Sequence, residues 1–217
     1  MTTPTGSRYC PSCGEATPEA FCPADGVATV VKASLNLDAT LVQEGDVIAG
    51  RYRVGGVLGR GGFGAVYEAE HTGTQQRVAL KMLLPNPDGS TDEDIRRFYR
   101  EAQVTASLQH PNTVRVFDVG QTDAGAMYFA MELLRGETFE RILRDRAAAG
   151  GCLSEHEVID FAIPVLRSLQ EAHGKGLVHR DLKPANIMRT HLEVGDEEET
   201  VVKVLDFGIA RQHESSL

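Results

Sequence analysis

Gly59-Arg60-Gly61-Gly62-Phe63-Gly64 runs straight into Ala65-Val66-Tyr67-Glu68-Ala69, an alternating β-prone stretch rather than the opening of a helix. The spacing G-x-G-x-x-G occurs in dinucleotide-binding folds, but there a helix starts directly after the glycines. Here Tyr52, Val54 and Val57 make the preceding segment extended as well, so the glycines join two strands. That arrangement argues against a dinucleotide-dependent oxidoreductase. A strand–glycine–strand hairpin can fold over phosphates and offer backbone N–H groups at close range, where a Cβ would intrude. Gly59, Gly61, Gly62 and Gly64 are therefore candidate phosphate contacts, and Phe63 at the tip could shield them from water.

The next extended run, Gln76-Arg77-Val78-Ala79-Leu80-Lys81-Met82-Leu83, puts Val78 and Leu80 on one face and Ala79 and Lys81 on the other. A small Ala79 leaves room for a flat ligand whose phosphates Lys81 could reach. A helix follows, opened by a capping box at Ser90-Thr91-Asp92-Glu93. Ile95, Phe98, Ala102 and Thr105 mark its buried face, and Glu101 falls on the same side. An inward carboxylate needs a cation, for which Lys81 is the candidate.

Near the N-terminus Cys10-Pro11-Ser12-Cys13-Gly14 rhymes with Cys22-Pro23-Ala24-Asp25-Gly26. No apolar stretch follows Met1, so no secretory signal is read, and clustered cysteines then suggest metal before disulfide. Cys10, Cys13, Cys22 and Asp25 would supply zinc with three thiolates and one carboxylate. The pair resembles a zinc-ribbon knuckle in which Asp25 stands where a fourth Cys is usual. Cys152 is read as a bystander. The expected organisation is a knuckle at 1–27, a linker at 28–45 and one larger domain at 46–217.

The decisive stretch is Val178-His179-Arg180-Asp181-Leu182-Lys183-Pro184-Ala185-Asn186-Ile187-Met188, followed by Leu205-Asp206-Phe207-Gly208. With the glycine hairpin, Val78-Ala79-Leu80-Lys81 and Glu101 in order, the chain resembles the eukaryotic-type protein serine/threonine kinases, in their bacterial form, from about Arg51 to Arg211. The resemblance implies an α+β fold. Its N-lobe, about 46–134, would be a five-stranded antiparallel sheet plus one helix, followed at 135–217 by the first part of a helical C-lobe. It implies ATP and Mg2+ as cofactors, and a Ser or Thr hydroxyl of a protein as acceptor. Lys81, held by Glu101, would bind the α- and β-phosphates, while Asn186 and Asp206 would coordinate magnesium. Asp181 would accept the hydroxyl proton and Lys183 would neutralise charge on the transferred group. The adenine would lie between Val66 and Ala79 above and Met188 below, with Met131 behind it and backbone groups at Glu132 and Leu134 on its edge. His179 is expected to be scaffold rather than base.

Lys and Arg number 22 against 31 Asp and Glu, a net charge of −9, which disfavours nucleic acid as partner. No apolar run approaches the roughly 18 residues that span a bilayer, so a cytoplasmic protein without a membrane segment is expected. The chain stops shortly after Asp206-Phe207-Gly208, before the family's Ala-Pro-Glu element, which reads as a C-terminally incomplete catalytic domain. The alternative reading is a non-catalytic kinase-like module that binds nucleotide or a partner.

Overall fold

The computed structural model describes residues 8–31, 42–61, 64–83, 92–194 and 197–207. Gly62, Phe63, the capping residues Ser90 and Thr91, Gly208 and Arg211 lie outside them. The chain divides into two compact units, residues 1–102 with 116–133, and residues 103–115 with 134–217.

The first unit is built on an antiparallel sheet. Its strands are β3 (Val47–Ile48), β4 (Tyr52–Gly61), β5 (Gly64–His71), β6 (Arg77–Leu83), β7 (Val116–Gln121) and β8 (Met127–Glu132), in the spatial order β3-β4-β5-β6-β8-β7. The five strands expected are joined by the two-residue edge strand β3, which pairs Val47 with Arg53 and Ile48 with Tyr52. Strand alternation sorts the side chains into two clusters. Val54, Ala65, Tyr67, Val78, Leu80, Met82, Tyr128 and Ala130 pack on one face. Leu83, Met127 and Phe129 meet Ile95, Phe98, Tyr99 and Ala102 of α1 (Asp92–Ser107) on the other. The 3–4 spacing of Ile95, Phe98 and Ala102 is therefore the face that covers the sheet.

A two-stranded ribbon, β1 (Arg8–Tyr9) with β2 (Val30–Val31), belongs to this same unit. Here the structure corrects the expected linker, which was to begin at residue 28. Ala28 bridges Phe21 and Val30 pairs with Tyr9, so the ribbon continues to Val31. The reason is apolar burial: Tyr9 and Val30, 7% and 4% exposed, join the cluster around α1.

In the second unit, α2 (Phe139–Ala148) is capped by the Thr138 hydroxyl. Helix α3 (Glu155–Gly174) starts with a capping box of Ser154 and Glu157 and runs through Pro164. Strands β10 (Ile187–Val194) and β11 (Glu197–Val204) pair antiparallel, and β9 (Gly136–Thr138) pairs with β10. Ile142, Phe161, Val165, Ile187, Val202, Val204 and Phe207 form the core of this unit. Among the described residues no helix is long and apolar enough to cross a membrane.

Candidate functional site

In the first unit the Lys81 ammonium lies 2.6 Å from the Glu101 carboxylate, with the two side chains only 14% and 17% exposed. Strand pairing sets Lys81 opposite Val66 on β5 and opposite Phe129 on β8. Its Nζ stands 5.5 Å from the centre of the Phe129 ring. Glu101 is carried between Phe98 and Ala102, whose burial fixes the rotation of α1. Two charges so withdrawn from water hold each other ionised, since either alone would be strongly disfavoured there.

The glycines divide by physical role. A Cβ on Gly64 would collide with the Met82 carbonyl of the paired strand, so that glycine is required by the sheet. At Gly59 and Gly61 a Cβ would meet no atom within 4 Å, and neither has a left-handed backbone. Among the described residues nothing therefore demands glycine at these two positions. Val66 is half-buried, and Ala79, 4% exposed, pairs with Glu68 and Met131. Met131 packs against the α1 cluster and Glu132 ends β8. Leu134 and Met188 belong to the second unit, where Met188 pairs with Thr138 and Lys203.

In that unit the Asp181 carboxylate accepts hydrogen bonds from Lys183 Nζ at 2.7 Å and from Asn186 Nδ2 at 3.1 Å. The same Asn186 nitrogen donates to the Asp181 carbonyl at 2.9 Å. The Lys183 bond, with help from Asn186, holds the Asp181 carboxyl below the usual carboxylate range. Asn186 is itself buried at the end of the short 3-10 turn Pro184–Asn186. Its carbonyl accepts from Leu205 N–H at 2.9 Å, which brings the residue before Asp206 against the turn that carries Asn186. His179, 2% exposed, reaches the Leu205 carbonyl through Nε2 at 2.9 Å and stacks 4.6 Å from the Phe207 ring. Burial pushes its pKa below the ordinary histidine value. Arg180 and Asp206 have left-handed backbones, φ 60° and 41°, a strain on the order of 1–2 kcal/mol per residue. Ala49 and Gln75 in the first unit share this conformation, so it is not confined to the segments bearing Asp181 and Asp206, and none of the four is a glycine that would have announced it in the sequence.

The knuckle brings its four predicted ligands together, all donor atoms lying within 4.8 Å of one another. Cys13 Sγ is 3.7 Å from Cys22 Sγ, and Cys10 Sγ is 3.5 and 3.4 Å from the Asp25 oxygens. A tetrahedral zinc with S at about 2.3 Å and O at about 2.0 Å has edges of roughly 3.8 Å (S–S) and 3.5 Å (S–O), so the donors fit. The two halves repeat in the backbone too. Gly14 N–H donates to Cys10 O and Gly26 N–H to Cys22 O, each at 2.9 Å, with φ of 83° and 69° at the two glycines. Cys152 is exposed and apart from this cluster.

Comparison with known proteins agrees with this geometry. The family model described as protein kinase domain matches residues 52–217. The chain is 40% identical over 172 residues to the serine/threonine-protein kinase pkn3 of Myxococcus xanthus, covering 79% of this chain and 30% of that protein. It is 41% identical over 169 residues to a probable serine/threonine-protein kinase PknB of Corynebacterium glutamicum, covering 76% and 24%. The solved PknI kinase domain of Mycobacterium tuberculosis superposes with a TM-score of 0.64 at 37% identity, covering 79% of this chain and 64% of that one. The chain thus spans less than a third of the length of these curated relatives. With a match that begins at Tyr52 and takes in both the Lys81–Glu101 pair and the Asp181–Asn186 turn, this chain belongs to the protein kinase domain family.

Proposed function

We propose that residues 46–217 carry the ATP-binding and phosphoryl-transfer groups of a serine/threonine protein kinase, with an N-lobe over about 46–134. The observation that supports this most is the Asp181 carboxylate held by Lys183 and Asn186 in one turn. In this reading Lys81, fixed by Glu101, binds the α- and β-phosphates, and backbone N–H groups of the Gly59–Gly64 hairpin cover them. Val66, Ala79 and backbone at Glu132 in the first unit, and Met188 and backbone at Leu134 in the second, are the groups assigned to adenine. Asp206 and Asn186 offer oxygen donors, the set a hard ion takes, and with Asn186 Nδ2 given to Asp181 the ligand atom is Oδ1. Asn186 and Asp206 would hold magnesium there, and the ion would supply neutralisation of phosphate charge. Asp181 orients a Ser or Thr hydroxyl and takes its proton as the hydroxyl oxygen bonds to the γ-phosphorus and the bond to the departing ADP oxygen breaks. Lys183 stands beside Asp181, where it can stabilise charge on the moving phosphoryl group. Lys two residues after that Asp favours serine and threonine over tyrosine.

Cys10, Cys13, Cys22 and Asp25 are proposed to hold zinc, on the donor distances above. A thiolate site and an ATP-consuming site both suit the reducing, nucleotide-rich cytoplasm.

Incubation of the chain with Mg-ATP and a Ser/Thr-containing protein tests the kinase reading. Nucleotide binding and labelled phosphate transfer are expected, with Asp181→Asn keeping binding and losing transfer. Binding without transfer in the wild type favours a non-catalytic nucleotide-binding module. Absence of both overturns the assignment.

A further inference from the structure

The knuckle's ribbon shares an apolar cluster with the helix that carries Glu101. Tyr9 and Val30, an aligned pair on the ribbon, lie in one apolar cluster with Ile95, Phe98, Tyr99 and Ala102 of α1, and Val27 packs against it. The turn following Cys13 touches the same helix: a Cβ at Gly14 would stand 3.0 Å from the Arg96 guanidinium carbon. The far end of the ribbon is latched to the sheet by one side chain. Gln121 Oε1 accepts from Val31 N–H at 2.9 Å and Gln121 Nε2 donates to Val31 O at 3.0 Å, satisfying both backbone groups as a neighbouring strand would.

From this contact a short chain of side chains leads to the ion pair. Phe98 lies 5.1 Å from Phe129, ring centre to ring centre, and Phe129 lies under the Lys81 ammonium. Glu101 follows Phe98 by less than one helical turn and binds Lys81. We infer that the metal-held knuckle is a positioning element for α1. By packing into the apolar cluster shared by that helix and the sheet it keeps Glu101 on Lys81, so metal occupancy at the N-terminus governs a pair in the nucleotide site. The inference rests on the zinc reading proposed above. A ribbon of two-residue strands cannot bury a core of its own, so the metal decides whether it keeps the shape that fits α1.

Amide hydrogen exchange on the full chain, with metal content measured on the same samples, tests this. Removing zinc with a chelator, or by Cys13→Ser, is expected to speed exchange of the α1 amides from Ile95 to Thr105 by about tenfold or more while α3 stays unchanged. Gln121→Ala is expected to do the same with zinc retained, because it unlatches the ribbon without touching a ligand. Mg-ATP affinity should fall in step with α1 protection in all three. A chain that carries zinc but whose α1 exchange ignores both chelation and Gln121→Ala overturns the coupling alone. A wild-type chain free of zinc removes the metal reading and the coupling with it. Equal acceleration in α3 would mean global unfolding and would also overturn it.

Discussion

His179 Nε2 lies 2.9 Å from the carbonyl oxygen of Leu205, twenty-six residues on in the chain. A carbonyl oxygen only accepts, so Nε2 carries the proton and the ring is an orienting donor. Through that bond the buried imidazole ties the Asp181 turn to the segment bearing Asp206, while its ring rests on Phe207. A histidine in this position is a strut for two acidic groups, and its burial favours the neutral form.

Stability should therefore fall in mild acid. Burial lowers the folded pKa of His179 beneath its ordinary 6.5, so the unfolded chain binds more protons between those two values. The contribution is complete above pH 6.5 and is lost as the pH drops through the folded value. Thermal melts from pH 7.5 to 5 should show this decline, and His179→Ala should flatten it while lowering stability by about 1–3 kcal/mol at neutral pH. An identical slope in the variant would show that another group is responsible.

The Lys81–Glu101 pair should separate stability from binding. Lys81→Met leaves a withdrawn carboxylate without its cation and should cost about 3 kcal/mol in chemical denaturation. Adding Glu101→Met should recover most of that loss, since two apolar side chains suit the site. Nucleotide affinity, measured by calorimetry, should stay lost in both variants. Recovery of binding in the double variant would contradict the phosphate role of Lys81.

The glycine hairpin offers a contrast within a few residues. Gly64→Ala drives a Cβ against the Met82 carbonyl and should destabilise the chain by about 1–3 kcal/mol. Gly59→Ala meets nothing and should leave stability within about 1 kcal/mol. Only the second should weaken Mg-ATP without changing the melting temperature. If Gly59→Ala binds nucleotide normally, the open space above it is not a phosphate site.

Asp25→Cys should tighten zinc. A fourth thiolate carries the same charge as a carboxylate but is a softer, stronger donor to zinc, so competition against a chromogenic chelator should show slower release. Asp25→Ala should release it faster. Equal release from all three forms would place Asp25 outside the coordination shell.

Much of this protein was readable from neighbouring residues alone. The alternation of Val78, Leu80 and Met82, the 3–4 spacing along α1, the capping box at Ser154 and the paired Cys-Pro turns all express interactions that act within a few positions. Glu101 could be seen to need a cation because its helix face was plain, and the cation proved to be Lys81. The ribbon running on to Val31 was hidden, because two residues carry little periodicity. Its strand status comes from Tyr9, and its seat from Gln121, ninety positions away.

The amino-acid order by itself pointed to the kinase family and named the candidate donors at the knuckle and the candidate residues of the site, since each depends on short spacings and side-chain chemistry. Only the tertiary structure decided that the knuckle's ribbon shares an apolar cluster with α1, that Gly64 serves the sheet, and that Arg180 and Asp206 take left-handed backbones, as Ala49 and Gln75 do. Those facts follow from which surfaces meet when distant segments are buried together, and no local interaction specifies that choice.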